Sequence, residues 1–231
     1  MLDAEFWQQY FKTYDILNIV IPYQELMEEL IKESVVNKGD LVLDAGAGTG
    51  NLAVRLKQRG ANVVALDNSE EGLRQLRVKD QEIGIIFHDL AKPLSFSDDY
   101  FDKIVSNNVI YTLAPGDRDK VFKEFYRILK PGGILIMTNW NLWQVTSKKS
   151  FWNNFLKSHF TDYRLRITDY KDIITLWQNR FPLYYHAFTL GELKKLFKKS
   201  NFKILANYYV KDGKKANWFN GKNVLTVGQK I

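Results

Sequence analysis

Residues 41–53 read LVLDAGAGTGNLA. Three apolar residues, Leu41 to Leu43, run into Asp44, and Gly46, Gly48 and Gly50 then alternate with Ala47 and Thr49 before a stretch of helical character. Glycine inside ordered structure costs chain entropy, so three in five positions need a cause. Either the backbone takes conformations that a side chain forbids, or something comes very close to it. A short buried strand, a glycine turn and a helix are the parts of a ligand site at the carboxyl edge of a parallel sheet.

The pattern outward from this stretch keeps the same rhythm. A helix is expected over 50–59, closed by Gly60, then a strand over 62–66 and a helix capped by Ser69 and running to about residue 78. Strands follow at 83–87 and 103–105. The clearest helical stripe is Val121, Phe122, Phe125, Ile128 and Leu129, ended by Pro131-Gly132-Gly133 and followed by a strand over 134–137. Strands alternating with helices predict a doubly wound parallel sheet with helices on both faces. Upstream, Phe6, Tyr10, Phe11 and Tyr14 at helical spacing, with Pro22 as a first-turn residue, predict two helices over 3–35 forming an N-terminal cap. Downstream, 139–188 is aromatic, irregular and only partly helical. Thr189-Leu-Gly-Glu192 then opens a helix to about residue 199. The last two strands, 202–210 and 224–230, are joined by a lysine-rich loop too short for a crossover helix, which predicts an antiparallel hairpin.

Composition narrows the function classes. At 231 residues the chain suits one domain with a sizeable core. It has no cysteine, which removes disulfides, thiolate-zinc sites and cysteine nucleophiles together. The N-terminus lacks the uninterrupted apolar core of a signal peptide, and no apolar run reaches membrane-spanning length, so a cytoplasmic location is the expectation. The net charge of +7 is uneven, with ten lysines against two acids over 191–231. Such a face permits a nucleic-acid partner without favouring it, because no arginine accompanies the lysines and a solvated surface explains them as well.

The glycine turn itself discriminates between ligands. A P-loop is excluded, since no Gly-Lys-Ser/Thr follows, and a dinucleotide fingerprint would need a third glycine where Asn51 stands. The Asp44 carboxylate at the rim would repel a pyrophosphate and attract an ammonium group.

At this point the motifs resemble a family. VLDAGAGTG looks like the first motif of the class I S-adenosylmethionine (SAM) dependent methyltransferases, and VVALDNSEEGL like the second. IIFHDLAKPLSFSDDYFDKIVSNNVIYTL resembles the third and fourth, and EFYRILKPGGILIM the helix and fifth strand that follow. The terminal hairpin is similar to the family's sixth and seventh strands. The resemblance is closest to the small-molecule branch that includes the ubiquinone and menaquinone C-methyltransferases. It implies a single α/β domain over 1–231 with a Rossmann-like sheet of seven strands, 139–188 being a lid or insertion. It implies SAM as cofactor and S-adenosylhomocysteine as product. Asp44, Ala45, Gly46, Gly48 and Gly50 would meet the amino-acid end, Asp67 and Asn68 the ribose, and Asp89 and Leu90 the adenine. Asn107 would lie beside the methyl donor, and Tyr14 resembles the tyrosine that folds over the cofactor.

Catalytic residues are harder to place, because methyl transfer asks the protein chiefly to align and desolvate the acceptor. The candidates are Tyr111 and His186, with Trp140 beside them. His186 titrates near neutrality and suits a general base, and it suits equally a half-buried histidine among aromatics. His88 and His159 read as structural or exposed, and no cluster has metal-ligand spacing. Pyrimidine C5 methylation is disfavoured by the lack of cysteine. Exocyclic amino methylation is disfavoured because Ser106-Asn107-Asn108-Val109 stands where Asn/Asp-Pro-Pro-Tyr would be. Three readings stay open: methylation of a small apolar or aromatic metabolite, methylation of RNA or protein through the lysine-rich face, and SAM binding without transfer. The oligomeric state is open as well.

Overall fold

The computed structural model describes residues 7–12, 23–145, 171–177 and 181–231. Its strands are β1 (Leu41–Ala45), β2 (Asn62–Asp67), β3 (Gly84–Phe87), β4 (Phe101–Asn107), β5 (Leu129–Trp140), β6 (Asp172–Trp177), β7 (Phe181–His186), β8 (Phe202–Lys211), β9 (Lys214–Ala216) and β10 (Asn223–Lys230). Its helices are α1 (7–12), α2 (Tyr23–Ser34), α3 (Asn51–Gln58), α4 (Glu70–Lys79), α5 (Pro115–Ile128), α6 (Leu142–Val145) and α7 (Leu190–Lys199).

Eight strands form one sheet in the order β3-β2-β1-β4-β5-β10-β8-β9, and β6 pairs with β7 separately. Strand β1 lies parallel between β2 and β4, with Asp44 opposite both Ala65 and Val105. The five N-terminal strands are all parallel, and β10 runs antiparallel to both β5 and β8. This order reverses direction of growth at β1 and β4, and the crevice beyond their carboxyl ends is where open α/β sheets bind ligands.

Each sheet face carries its own core. One face packs Val121, Phe122, Phe125 and Ile128 of α5 and Leu193 and Phe197 of α7 against Leu43, Leu135 and Met137. The other packs Leu26, Met27, Leu30 and Ile31 of α2 with Leu52 and Leu56 of α3 against Val42, Ala65 and Ile136. Alternate residues of β5 thus serve opposite cores, as the period-2 strand requires. Two helix starts fall where the sequence places them. Ser69 Oγ accepts from the Gly72 N–H at 3.1 Å, and Thr189 Oγ1 from the Glu192 N–H at 3.3 Å.

Three expectations need correction. The main sheet has eight strands rather than seven, because Asp212 and Gly213 both take positive φ (49° and 70°) and turn β8 back on itself as β9. Those dihedrals are the two-residue hairpin turn that Asp-Gly favours. Second, β5 begins at Leu129, which already pairs with Phe101 of β4, so Pro131-Gly132-Gly133 lies within the strand rather than before it. Third, the 139–188 stretch contains an antiparallel β hairpin, β6–β7, with Ile173 opposite Tyr185. Residues 146–170, which include His159, and 178–180 lie outside the described residues, as do Tyr14 and Pro22.

Candidate active site

Strand β1 carries Asp44 into the crevice with 1% of its surface exposed. Burial and the neighbouring Asp67 charge push its carboxyl up to about 7, against a hydrogen bond from the Ala53 N–H that lowers it. Asp44 Oδ2 is buried with no hydrogen-bond partner. A buried carboxylate oxygen in that state costs free energy unless a cation or donor reaches it. Asp67, at the end of β2, accepts from the Gly48 N–H at 2.8 Å through Oδ2 and from the Ser69 N–H at 2.9 Å through Oδ1. Burial raises its carboxyl to about 6 against these bonds. The second acidic residue therefore ties the glycine turn to the start of α4 while keeping lone pairs for further donors.

The glycines are required by the protein as well as by any ligand. Gly46 sits at φ 85°, and a Cβ there would run into the Val109 side chain. Gly48 sits at φ 53°, and a Cβ there would lie 2.8 Å from Phe11 Cε1. Positive φ and tight packing coincide, so no side chain fits either position without strain. The first helix thus lays an aromatic ring across the turn.

Around this turn lies a cleft with about 1100 Å³ of free space, counting its open mouth. Of the residues singled out in the sequence, Asp44, Gly46, Gly48, Asp67, Asn68, Asp89, Leu90, Asn107, Tyr111 and Trp140 line it. Ala45 and Gly50 belong to the turn but stand behind the wall: Ala45 is fully buried in the core, and Gly50 packs on Leu76. Asp89 Oδ1 accepts from the Ala91 N–H at 2.9 Å, an Asx-type turn that caps the segment after β3 and holds the carboxylate at the wall. Asn107 is fixed by Thr138, whose Oγ1 donates to Asn107 Oδ1 at 2.5 Å. The cleft also recruits Met27 and residues to which the sequence assigned no site role: Phe11, expected only to pack its helix, His88, expected to be structural or exposed, and Asn108 and Val109. Asn108 takes φ 56°, a left-handed conformation that asparagine adopts more readily than most residues.

The far wall is aromatic. Tyr111 stacks on Trp140 with ring centroids 5.0 Å apart and planes 15° apart, and Tyr185, which is not among the lining residues, backs both at 5.2 and 4.8 Å. His186 is not part of this wall. Its Nδ1 lies 2.7 Å from Asp172 Oδ1 and its Nε2 2.7 Å from Glu192 Oε1, and it is 1% exposed. With both ring nitrogens committed to carboxylates, it has no lone pair with which to take a proton from an acceptor. The general-base reading of His186 is therefore set aside on this geometry.

Residues 43–137 match the family described as Methyltransferase domain. YqeM of Bacillus subtilis (strain 168), named as a methyltransferase, is 31% identical over 178 residues, which cover 75% of this chain and 66% of that protein. The chain belongs to the class I SAM-dependent methyltransferases. The ubiquinone/menaquinone biosynthesis C-methyltransferase UbiE of Escherichia coli is 33% identical over 135 residues, 54% of this chain and 53% of that protein. The chain thus spans about half to two thirds of the length of these curated relatives. The solved structure of a 1,6-didemethyltoxoflavin-N1-methyltransferase from Burkholderia thailandensis, with 1,6-didemethyltoxoflavin and S-adenosylhomocysteine bound, shares the fold. Its TM-score is 0.68 over 99% of this chain and 86% of that one, at 16% identity.

The cofactor of this methyltransferase family is SAM, and the cleft suits it. Three carboxylates, Asp44, Asp67 and Asp89, line the cleft, and no lysine or arginine does so among the described residues. SAM carries an ammonium and a sulfonium and no phosphate, so an acidic cleft with an unpartnered carboxylate oxygen attracts it and repels a dinucleotide.

Proposed function

We propose that this methyltransferase binds SAM in the cleft and moves its methyl group to a small, uncharged, planar acceptor seated against Tyr111 and Trp140. The observation that carries the reading is the charge of the cleft, three carboxylates and no lysine or arginine among the described residues. An acidic acceptor, or the phosphates of RNA, would find no cation among the described lining residues. A flat ring would find a stacking surface of the right chemistry.

In this reading Asp44 takes the cofactor's ammonium, Asp67 and Asn68 the ribose, and Asp89 with Leu90 the adenine. SAM supplies an electrophilic methyl on sulfur and leaves as a neutral thioether. The chain's part is to place the acceptor atom in line, exclude water and hold the acceptor's orientation. Tyr111 is the wall residue with a hydroxyl and remains the candidate for steering the acceptor's own proton. Three of the C-terminal lysines support the solvated-surface reading, since Lys199, Lys222 and Lys230 pair with Asp119, Asp212 and Asp99 at 2.5 to 2.7 Å.

The test is SAM consumption against a metabolite extract and against total RNA, each with and without nuclease. Turnover with the nuclease-treated extract is the expected result. Turnover that needs intact RNA would overturn the acceptor class, and tight SAM binding without turnover on either would overturn transfer itself.

A further inference from the structure

Strand β7 has two unlike faces. Tyr185 points one way and backs the aromatic wall, with its ring centroid 4.8 Å from Trp140 and 5.2 Å from Tyr111. Tyr184 and His186, on the alternate face, enter a buried chain of polar groups. Arg118 of α5 donates from Nη2 to the Tyr184 hydroxyl at 2.8 Å, and that hydroxyl donates to Asp172 Oδ1 of β6 at 2.7 Å. His186 bridges Asp172 to Glu192 of α7, and Lys171 pairs with Glu192 at 3.1 Å. One chain of contacts thus joins α5, β6, β7 and α7.

The geometry at His186 settles which protonation state the bridge requires. A neutral imidazole has one N–H and one lone pair. At 2.7 Å on both sides, a neutral ring would press its lone pair against one carboxylate. Only the imidazolium can donate to both. Burial alone would lower the His186 pKa, but the bonds to Asp172 and Glu192 outweigh it, and the net shift is upward. The two carboxyls are held below their ordinary range despite their own burial, chiefly by His186.

The hairpin is tied to the body by this bridge and by the burial of Tyr185, with Ala187 and Phe188 just past its end, in the core. It belongs to no larger sheet, and its described backbone ties to the body lie just past its end, where the Phe188 N–H reaches Trp140 O at 2.9 Å and the Leu142 N–H reaches Phe188 O at 3.0 Å. We propose that His186, as the doubly donating bridge between Asp172 and Glu192, is a positioning residue that sets Tyr185 against Trp140 and Tyr111 and so fixes the shape of the acceptor wall. This rests on the reading that the wall receives the acceptor. The groups facing the ring are Asp172, Glu192, Lys171, Tyr184 and Arg118. As pH rises and the ring loses a proton, the bond to Glu192 opens first, because Glu192 is the more exposed partner and can turn to water while Asp172 cannot.

Two measurements on the intact protein test this without a known acceptor. Nitrogen-15 NMR of labelled histidine at pH 7.5 should show one residue with both ring nitrogens protonated, absent in His186→Gln. A neutral tautomer in its place would overturn the bridge. Fluorine NMR of 5-fluorotryptophan protein, with the Trp140 resonance assigned by Trp140→Phe, reads the wall directly. In His186→Gln and Glu192→Leu that resonance should shift and broaden, while SAM affinity by calorimetry stays within about twofold. The wild-type resonance should move the same way as the histidine titrates. An unmoved Trp140 signal in Glu192→Leu, which leaves no acceptor for Nε2, would overturn the positioning role, and this variant keeps the test open if His186→Gln does not fold. With an active metabolite fraction, the half-saturating acceptor level should rise at least tenfold and the maximal rate should hold. If the wall moves and acceptor saturation does not, the positioning stands and the acceptor-wall reading fails.

Discussion

If Asp44 takes the cofactor's ammonium, as proposed, SAM binding should depend on pH. Its carboxyl moves from an ordinary 3.8 to about 7 in the folded protein. The folded state therefore holds a proton that the unfolded chain has lost, and stability falls as pH rises from about 4 through about 7. Above that window the penalty is about 4 kcal/mol, an upper bound for a group this buried. An ammonium against Asp44 Oδ2 would reverse the preference and expel the proton. Affinity should then rise about tenfold from pH 6 to pH 7.5 and release close to one proton at pH 6, to which Asp67, at about 6, adds up to about a further factor of two. Above about pH 8 the cofactor's own α-amino group, with an ordinary pKa near 7.7–8.0, loses its charge and affinity should turn down. Calorimetry in two buffers of different ionisation heat counts the protons directly. Asp44→Asn should bind SAM about 30- to 150-fold more weakly at pH 7.5, the loss of about 2–3 kcal/mol of charge-assisted hydrogen bonding, and should lose most of the slope between pH 6 and 7. Flat wild-type affinity from pH 6 to 7.5, or an unchanged slope in Asp44→Asn, refutes the assignment.

Other outcomes follow from the same geometry. Gly48→Val should weaken SAM binding about tenfold or more, because its side chain would meet Phe11 at a positive φ; unchanged calorimetric affinity with an intact fold would remove the turn from the site. Asp67→Ala loses the carboxylate proposed to hold the ribose and frees the Gly48 and Ser69 N–H groups, so SAM should bind about 30- to 150-fold more weakly, and NADH competing with SAM on the wild type would count against the whole site. Phe197→Ala removes a fully buried ring that meets Phe122 edge-on at 5.2 Å, and urea denaturation should show about 3–5 kcal/mol lost, with a smaller loss pointing to a collapsible core. The His186 contribution to stability should be full below pH 6.5 and fade as pH rises through its raised pKa, so the difference between wild type and His186→Gln should shrink at alkaline pH; a constant difference would mean that the ring is not charged.

Much of this protein is written in local pattern. The parallel half of the sheet follows from strand and helix periods, and the helix starts at Ser69 and Thr189 follow from capping side chains three residues from the N–H they satisfy. The glycine turn, Asp44 and Asp67 were legible because strand ends and the turn between them are contiguous in the chain. Asp212-Gly213 is the local signal for the β8–β9 turn, set inside a lysine-rich loop.

What only the tertiary structure decided are the partners that meet across the fold. Phe11 reaches Gly48 from a separate helix, and Val109 explains Gly46 as firmly as any ligand could. Ala45 and Gly50, alike in sequence to their neighbours in the turn, fall behind the wall. His186 stood in sequence among aromatics and invited a catalytic role. Its carboxylates come from another strand and another helix, and together they consume both its nitrogens. Periodicity tells which face of an element is apolar, because that depends on neighbours three or four positions away. It carries no signal for which distant acid will close on a given ring, since that depends on how the packed elements bring their side chains together.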